Sequence, residues 1–395
     1  MVTPWFPTNE LPYRGAFVAA MVEAVAPRCD RVAVYHSDLW TAGMSPRGDR
    51  RAQRAMHALA PAAARTHRTA AGVPVTHAPY PIRPGLSFAE LGARHDRALR
   101  AALGGAPIDA GIVHAHTGIY SGWSALRHMR PDARLFVTEH STFVDQVLAE
   151  PQARVMYEEV LRRATRFFVV GEVPRSMIAA AFPQHADRIA VMPNAIRFDL
   201  PRPEPVRQLR RWLFVGHLIE RKNVAALIAA FARCRARDDS LTLTIAGTGA
   251  LYRSLVTQAK ELGVADAVEW LGAVPPATAL DLLRSHDLLV HPSRLETFGM
   301  TLVEAVAAGM PVLATRSGGP QETLAGIESA VGELVDVSAG VDGLVEGYWR
   351  LRGRWPDGLD LAEGARQLAE RYGYPAVAEA HLRAWHGAPA PVAVS

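Results

Sequence analysis

Short apolar runs alternate with segments of helical periodicity along almost the whole chain, and this alternation limits the fold more than any other feature. In the first half the apolar runs are Met1–Thr3, Val32–Tyr35, Val73–His77, Gly111–His114, Leu135–Thr138, Phe167–Val170 and Ile189–Met192. Between them lie amphipathic segments such as Ala16–Ala26, Ser87–Leu103 and Ala153–Ala164. Buried strands separated by helices are typical of parallel sheets with crossover helices. The pattern therefore predicts an α/β protein.

A proline-spaced segment divides the chain. Pro201, Pro203 and Pro205 occur within Leu200–Arg210, which excludes a helix and a central strand there and indicates a linker over 201–210. The alternation then restarts with apolar runs at Trp212–Val215, Leu241–Ala246, Val268–Leu271, Leu288–His291 and Val312–Thr315. A restart predicts a second, similar domain. We expect domains over 1–200 and 211–360, helices over 361–386 that cross back to the first domain, and a disordered tail over 387–395.

Charge and composition exclude several classes of protein. The 43 basic and 39 acidic side chains leave a formal charge of +4, which gives no reason to expect a nucleic-acid partner. No apolar run is long enough to span a membrane, and two distant cysteines fit a reducing cytoplasm. The first 200 residues carry 23 arginines against 17 acidic residues. This excess allows a weak peripheral contact of the first half with a membrane surface, but scattered, solvated arginines explain it as well.

The stretch from Ser293 to Glu322, SRLETFGMTLVEAVAAGMPVLATRSGGPQE, is the most informative. It predicts a loop and then a helix that begins near Met300 or Thr301, just after Phe298 and Gly299. The free N–H groups and positive dipole end of such a helix bind anions, so we expect a phosphate there.

Two glutamates belong to the same stretch. Glu296 lies in the loop, and Glu304 lies about one turn into the helix. A diphosphate would repel carboxylates, so they are expected to accept hydrogen bonds from sugar or ribose hydroxyls. Taken alone, Glu296 is explained equally well as a surface loop residue, and Glu304 as a first-turn carboxylate that interacts with the helix dipole.

Other strand ends carry weaker signals. In VGHLIERKN, Val215–Asn223, Arg221 or Lys222 can neutralise a departing phosphate, although an isolated pair of this kind is usually solvated. Gly247 belongs to AGTGA, which lacks the third glycine of the dinucleotide fingerprint. His114, His116 and His140 lie at strand ends, where a lone histidine is more often structural.

Absent motifs also bear on the mechanism. The chain contains no Asp-x-Asp for a nucleotide-bound divalent metal, no P-loop and no Gly-x-Ser-x-Gly elbow. We therefore expect no metal and no cofactor other than a nucleotide co-substrate, with protein charge alone acting on the leaving group.

Together these motifs resemble the retaining glycosyltransferases of the GT-B fold, family 4. The resemblance rests on Glu296-x7-Glu304, Lys222 and the Gly318–Gly319 turn, with VMPNAI at Val191–Ile196 and LGAVP at Leu271–Pro275. VHAHT and VTEHS match the strand ends of the first domain. The resemblance implies two Rossmann-like domains that face each other across a cleft, a nucleotide-sugar donor, expected to be a UDP-sugar, and a hydroxyl acceptor such as a saccharide or natural product.

The resemblance also assigns roles by position. Glu296 would contact donor-sugar hydroxyls, and backbone N–H groups of Phe298, Gly299, Met300 and Thr301 would hold sugar and diphosphate. Glu304 would bind the ribose, Lys222 the leaving diphosphate and backbone near Val274 the base. His140 would lie near the transferred sugar, and Gly15 would represent the glycine loop of the first domain.

Two positions differ from the family pattern. Where the family has an arginine after the strand-end glycine this chain has His217, so Arg221 or a protonated His217 would supply the second charge. The first glycine loop retains only Gly15. The family further implies a front-face reaction in which the leaving phosphate helps to take the acceptor proton.

The sequence is also compatible with other functions. A nucleotide-sugar epimerase of the same fold would convert the donor without an acceptor, and a non-catalytic protein would bind nucleotide sugars without turnover. A dehydrogenase fits least, because AGTGA is incomplete and the two glutamates would have no role.

Overall fold

The computed structural model describes residues 1–41, 48, 50–52 and 65–387. The chain forms two compact units. Unit 1 comprises Met1–Asn9, Arg14–Pro193 and the chain from Val377 onward, and unit 2 comprises Glu10–Tyr13 and Asn194–Ala376. Residues 201–210 lie within unit 2. Of the predicted tail at 387–395, only Gly387 falls inside the described residues.

Within its described residues, unit 1 is built on an eight-stranded sheet of order β3-β4-β2-β1-β5-β6-β7-β8. All neighbours pair in parallel except β3 and β4, which are antiparallel. The strands are β1 Val2–Thr3, β2 Val34–Thr41, β3 Arg65–Arg68, β4 Pro74–Ile82, β5 Ile112–His116, β6 Arg134–Glu139, β7 Arg166–Val169 and β8 Ile189–Val191. The helices are Ala16–Val25, Phe88–Ala102, Trp123–His128, Val144–Ala149, Pro151–Arg163 and Glu172–Ala181, with a π-helical turn at Thr117–Gly122.

Unit 2 contains, among the described residues, a six-stranded parallel sheet of order β11-β10-β9-β12-β13-β14. Its strands are β9 Arg211–Val215, β10 Thr242–Ala246, β11 Val268–Gly272, β12 Leu288–His291, β13 Val312–Thr315 and β14 Gly332–Val335. Its helices are Val224–Arg235, Tyr252–Glu261, Pro276–Ser285, Met300–Ala307, Gly319–Thr323, Glu328–Val331, Gly340–Arg354 and Leu361–Tyr372. The predicted α/β class is confirmed.

Each unit buries its own apolar core around the sheet. In unit 2, Trp212 packs edge-on against Phe231 and Tyr348, and all three are fully buried. In unit 1, Phe136 and Phe168 stack at 6.3 Å between ring centroids. Strands covered on both faces are apolar throughout, which is why these runs are visible in the sequence.

The last helix, Tyr374–His386, reaches unit 1, to which its residues from Val377 onward belong. Trp385 Nε1 donates a hydrogen bond to His114 Nδ1 at 3.1 Å, and the His381 ring lies edge-on to His114. The predicted return of the C-terminal helix to the first domain is confirmed.

The long helix Phe88–Ala102 illustrates how local sequence sets an element boundary. Ser87 and Glu90 form a capping box at its start. The Glu150 carboxylate accepts two further hydrogen bonds there, from Phe88 N at 2.7 Å and from Ala89 N at 3.1 Å. A carboxylate thus satisfies N–H groups that the helix itself leaves unpaired.

In both sheets the strand order reverses beside the first strand of the unit. β1 lies between β2 and β5, and β9 lies between β10 and β12. Ligands of open α/β sheets bind at the carboxyl ends of strands at such a switch point. Ligand-binding residues are therefore expected in the loops after β9 and β12 and in those after β1 and β5.

Candidate functional site

In unit 2 the predicted donor-site residues follow β9 and β12. Arg221 and Lys222 end a short 3₁₀ turn, Glu220–Lys222, after β9, and Glu296 lies in the loop after β12. Backbone hydrogen bonds fix the Glu296 loop, because Glu296 N donates to Ser317 O at 2.8 Å and Gly319 N donates to Glu296 O at 2.9 Å. Two loops from neighbouring strands thus present these side chains at the switch point.

The structure brings Lys222, Arg221 and Glu296 together. Lys222 Nζ lies 2.6 Å from Glu296 Oε1, and Arg221 Nη1 lies 3.4 Å from the same oxygen. The side chains of Glu296 and Lys222 are only 7% and 13% exposed, so water screens the pair weakly. Burial raises the pKa of Glu296, but Lys222, His291 and Arg221 outweigh it and hold the pKa well below its ordinary value. Glu296 is therefore ionised at neutral pH.

His291 is a site residue that the sequence reasoning missed. Its Nε2 lies 3.0 Å from Glu296 Oε1 and 3.1 Å from Ser293 Oγ, and its ring is buried. Burial, followed by the Lys222 charge, lowers the pKa of His291. A neutral imidazole that donates from Nε2 to Glu296 fits these contacts. Its position as the last residue of a strand, VHPS, was the available signal.

The helix Met300–Ala307 begins at Met300, as predicted, and Gly299 before it adopts a left-handed conformation with φ 84°. The N–H groups of Met300 and Thr301 have no hydrogen-bond partner among the described residues. Phe298 is buried, and a Cβ on Gly319 would lie 2.6 Å from its backbone. The glycine turn therefore lets two backbone segments approach and leaves the helix N-terminus available to an anion.

Glu304 lies one turn into this helix and is half-buried. Its carboxyl has no hydrogen-bond partner among the described residues. Burial raises its pKa to about 7. An unpartnered, desolvated carboxyl of this kind can accept hydrogen bonds from ligand hydroxyls.

The remaining unit 2 positions lie at other strand ends. Gly247 follows β10, where an added Cβ would lie 1.8 Å from Gly216 O, so close backbone packing alone explains this glycine. Val274 is half-buried in the loop after β11, and His217 is exposed after β9. Gly247 has no side chain, and among the described residues no hydrogen bond or ion pair joins His217 or Val274 to Lys222 or Glu296.

Two predicted residues belong to unit 1. Gly15 precedes the helix Ala16–Val25 with φ 68°, and a Cβ there would lie 2.3 Å from Trp5 O. His140 follows β6, its Nε2 lies 3.0 Å from His116 Nδ1, and its ring packs against Phe17 at 4.4 Å between centroids. Burial, followed by His381, lowers the pKa of His140 to about 3. His140 is therefore a neutral hydrogen-bonding group at physiological pH.

The described residues offer neither a metal site nor a membrane-spanning helix. No group of three or more His, Cys, Asp or Glu side chains in that part of the chain is arranged to hold a metal ion. No helix within the same ranges is long and apolar enough to cross a bilayer.

Comparisons with protein families identify relatives for both units. A family model described as Glycosyltransferase Family 4 matches residues 15–200, and one described as Glycosyl transferases group 1 matches residues 198–348. Together these matches extend over most of the chain.

Individual relatives are more distant. A glycogen synthase of Mycobacterium tuberculosis is 27% identical over 279 residues, which are 67% of this chain and 64% of that protein. A D-inositol 3-phosphate glycosyltransferase of Frankia alni is 28% identical over 330 residues, 75% of this chain and 79% of the relative. A second such enzyme, from Catenulispora acidiphila, is 30% identical over 58% of each chain. The chain thus spans less than two thirds of the glycogen synthase and of the Catenulispora protein.

Solved structures share the fold. Sucrose-phosphate synthase from Thermosynechococcus elongatus superposes with a TM-score of 0.71 at 20% identity, over 94% of this chain and 92% of that one. WaaG, a glycosyltransferase involved in lipopolysaccharide biosynthesis, superposes with a TM-score of 0.66 at 18% identity, over 98% of this chain and 100% of WaaG. Anabaena Alr3699/HepE in complex with UDP and glucose gives 0.67 at 16% identity over 97% of each chain.

Proposed function

The chain belongs to the glycosyltransferases of the GT-B fold, and from this premise we propose that it is a retaining, hexosyltransferase-type enzyme. In this proposal it moves a sugar from a nucleotide diphosphate to a hydroxyl acceptor without a metal ion. The observation that carries the proposal is the Lys222–Glu296 pair beside the helix that begins at Met300.

The donor would be bound through complementary charges. The N–H groups of Met300 and Thr301 would face the diphosphate, and Lys222 and Arg221 would neutralise charge that develops on the leaving group. Glu296, held by His291, would accept hydrogen bonds from sugar hydroxyls, and Glu304 from the ribose. We propose a UDP-sugar because a protein of similar fold binds UDP and glucose.

In the proposed reaction the C–O bond between the anomeric carbon and the diphosphate breaks as the acceptor oxygen attacks from the same face. The acceptor proton passes to the departing phosphate oxygen, so no protein carboxylate serves as a covalent nucleophile. Retention and freedom from metal rest on the family resemblance and on the missing Asp-x-Asp motif.

The acceptor would be an alcohol of a saccharide or natural product, since relatives include a glycogen synthase and inositol phosphate glycosyltransferases. We place the reaction in the cytoplasm, where nucleotide sugars are made. A weak contact of the basic first half with a membrane surface would bring the enzyme to lipid-linked acceptors, and no nucleic acid takes part.

The test is an assay of the purified chain with a panel of UDP-, GDP- and ADP-sugars against sugar, polyol and phenolic acceptors. The proposal predicts release of the nucleoside diphosphate and an α-linked product from an α-linked donor, detected by NMR of the anomeric proton. The rate should be unchanged by EDTA. A β-linked product rejects retention, and loss of activity with EDTA that Mg²⁺ restores rejects the metal-free mechanism.

The same assay separates the alternatives. Conversion of the donor to another nucleotide sugar without an acceptor identifies an epimerase. Donor binding without transfer or hydrolysis across the whole panel identifies a non-catalytic binding protein. Either result overturns the proposed transfer.

A further inference from the structure

A buried glutamate in unit 1 has no role in the function proposed above. Glu139 is the last residue of β6, directly before His140, and is 2% exposed. Among the described residues, no cation forms an ion pair with its carboxylate. Burial of an unpaired carboxylate is unfavourable unless hydrogen bonds replace its hydration shell.

Four neutral donors replace that shell. Glu139 Oε1 accepts from His140 N at 3.0 Å and from Ser141 N at 2.9 Å. Oε2 accepts from Gly118 N at 2.8 Å and from the Tyr157 hydroxyl at 3.1 Å. A carboxylate has two oxygens that both accept and no hydrogen to donate, so it matches four converging donors.

These hydrogen bonds join the ends of two neighbouring strands. Gly118 belongs to the π-helical turn Thr117–Gly122 after β5, and His140 and Ser141 follow β6. The turn is conformationally demanding, because Thr117 is buried with φ 82°, a left-handed conformation that non-glycine residues rarely adopt. A Cβ on Gly118 would lie 2.6 Å from the Tyr157 ring. Glu139 thus anchors a tight turn to the backbone of His140.

The ring of His140 is restrained from the same side. Its Nε2 lies 3.0 Å from Nδ1 of His116, the last residue of β5. Any shift between the ends of β5 and β6 therefore changes both the backbone position and the ring contact of His140. No hydrogen bond to its Nδ1 is found among the described residues.

We infer that Glu139 is a positioning residue, which sets the orientation of His140 through backbone hydrogen bonds to both strand ends. The inference rests on the proposed function in one respect, namely that His140 contacts the transferred sugar. Glutamine cannot replace glutamate here, because its amide nitrogen would face N–H donors on one side.

The test compares Glu139→Gln with Glu150→Gln. Glu150 is a matched control because its carboxylate, like that of Glu139, accepts hydrogen bonds from backbone N–H groups of unit 1. It has two such donors, at the start of the helix Phe88–Ala102. We expect Glu139→Gln to lower kcat about tenfold with little change in donor KM, as misplacement of a group near the reacting atoms does. Glu150→Gln should keep kcat within about twofold at a similar loss of thermal stability.

A second readout does not depend on turnover. With ¹³C-labelled histidine, the ring signal of His140, assigned by its loss in His140→Gln, should shift in Glu139→Gln and stay in place in Glu150→Gln. Tyr157→Phe removes one donor and leaves three, so it should move the signal less than Glu139→Gln.

The outcomes separate this inference from the proposed function. Unchanged kcat and an unshifted His140 signal in Glu139→Gln overturn the inference while wild-type transfer stands. Parallel losses in Glu139→Gln and Glu150→Gln also overturn it, since they indicate general destabilisation. If the wild type turns over no nucleotide sugar, the proposed function fails, and the His140 signal alone decides whether Glu139 positions that ring.

Discussion

The Lys222 ammonium lies 2.6 Å from Glu296 Oε1, and this ion pair links the loops after β9 and β12 of unit 2. The two residues are 74 positions apart in the chain. With His291 and Arg221 the pair forms a compact polar cluster next to an available helix N-terminus. Glu296 holds the lysine in place before any ligand arrives, which is the preorganisation that electrostatic catalysis requires.

Replacement of Lys222 should affect turnover. Lys222→Ala is expected to lower kcat about 10²-fold, because one preorganised charge at the leaving group is lost. Lys260→Ala is the matched control, since Lys260 is exposed on the helix Tyr252–Glu261 of the same unit. Steady-state kinetics with the donor found in the panel measure both. Equal kcat values for the two variants would remove Lys222 from the mechanism.

The pKa of Glu304 predicts how stability changes with pH. Its pKa is about 7 in the folded protein against an ordinary value of 4.5. The folded state therefore binds more protons than the unfolded state between these values, and this group's contribution to stability falls as pH rises from 4.5 to 7. Glutamine does not ionise, so a Glu304→Gln variant does not lose this stability as the pH rises.

We expect Glu304→Gln to stabilise the protein by about 2 kcal/mol at pH 8, after allowance for partial exposure, and by much less near pH 5. Urea unfolding at the two pH values measures the difference. Glu296→Gln should act in the opposite direction, because its pKa is held low in the folded state. A Glu304→Gln variant that is no more stable than wild type at pH 8 would show that the carboxyl is solvated.

The close packing of the strand ends in unit 2 gives a stability prediction. A Cβ at residue 247 would lie 1.8 Å from Gly216 O, so Gly247→Ala must displace backbone and should destabilise by at least about 2 kcal/mol. Gly353 lies on the exposed side of the helix Gly340–Arg354, and a Cβ there would have no atom within 4 Å apart from its chain neighbours and its own helix backbone. Gly353→Ala should therefore stabilise by about 0.5 kcal/mol. Thermal unfolding compares them, and equal midpoints for the two variants would contradict this packing.

Much of the fold could be predicted because the central strands are apolar on both faces. Of the four edge strands in the described sheets, β8 and β11 coincide with predicted apolar runs, but β3 and β14 could not be predicted. β3, Arg65–Arg68, is polar and antiparallel to β4, and β14, Gly332–Val335, is short and begins at a glycine packed against Val312 O. β2 continues to Thr41, six residues beyond the predicted Tyr35, because it pairs with β4 over eight positions.

Part of the site could also be predicted, because its motifs follow recognisable strands. Motif spacing places Glu296 and Lys222 on loops at strand ends, but only the strand order brings those ends together. His291 and Glu139 were missed because a buried polar residue at the end of a strand looks structural until its partners are known. Their hydrogen bonds, to Glu296 and to the His140 backbone, come from tertiary packing.

Isothermal titration calorimetry with UDP and uridine tests the central claim that unit 2 holds a nucleotide diphosphate through Lys222. Wild type and Lys260→Ala should bind UDP more tightly than uridine by about 10²-fold or more, since a charge-assisted contact to each phosphate adds binding energy. Lys222→Ala should reduce that ratio about tenfold and leave uridine affinity unchanged. An identical UDP-to-uridine ratio in Lys222→Ala and wild type would contradict the account.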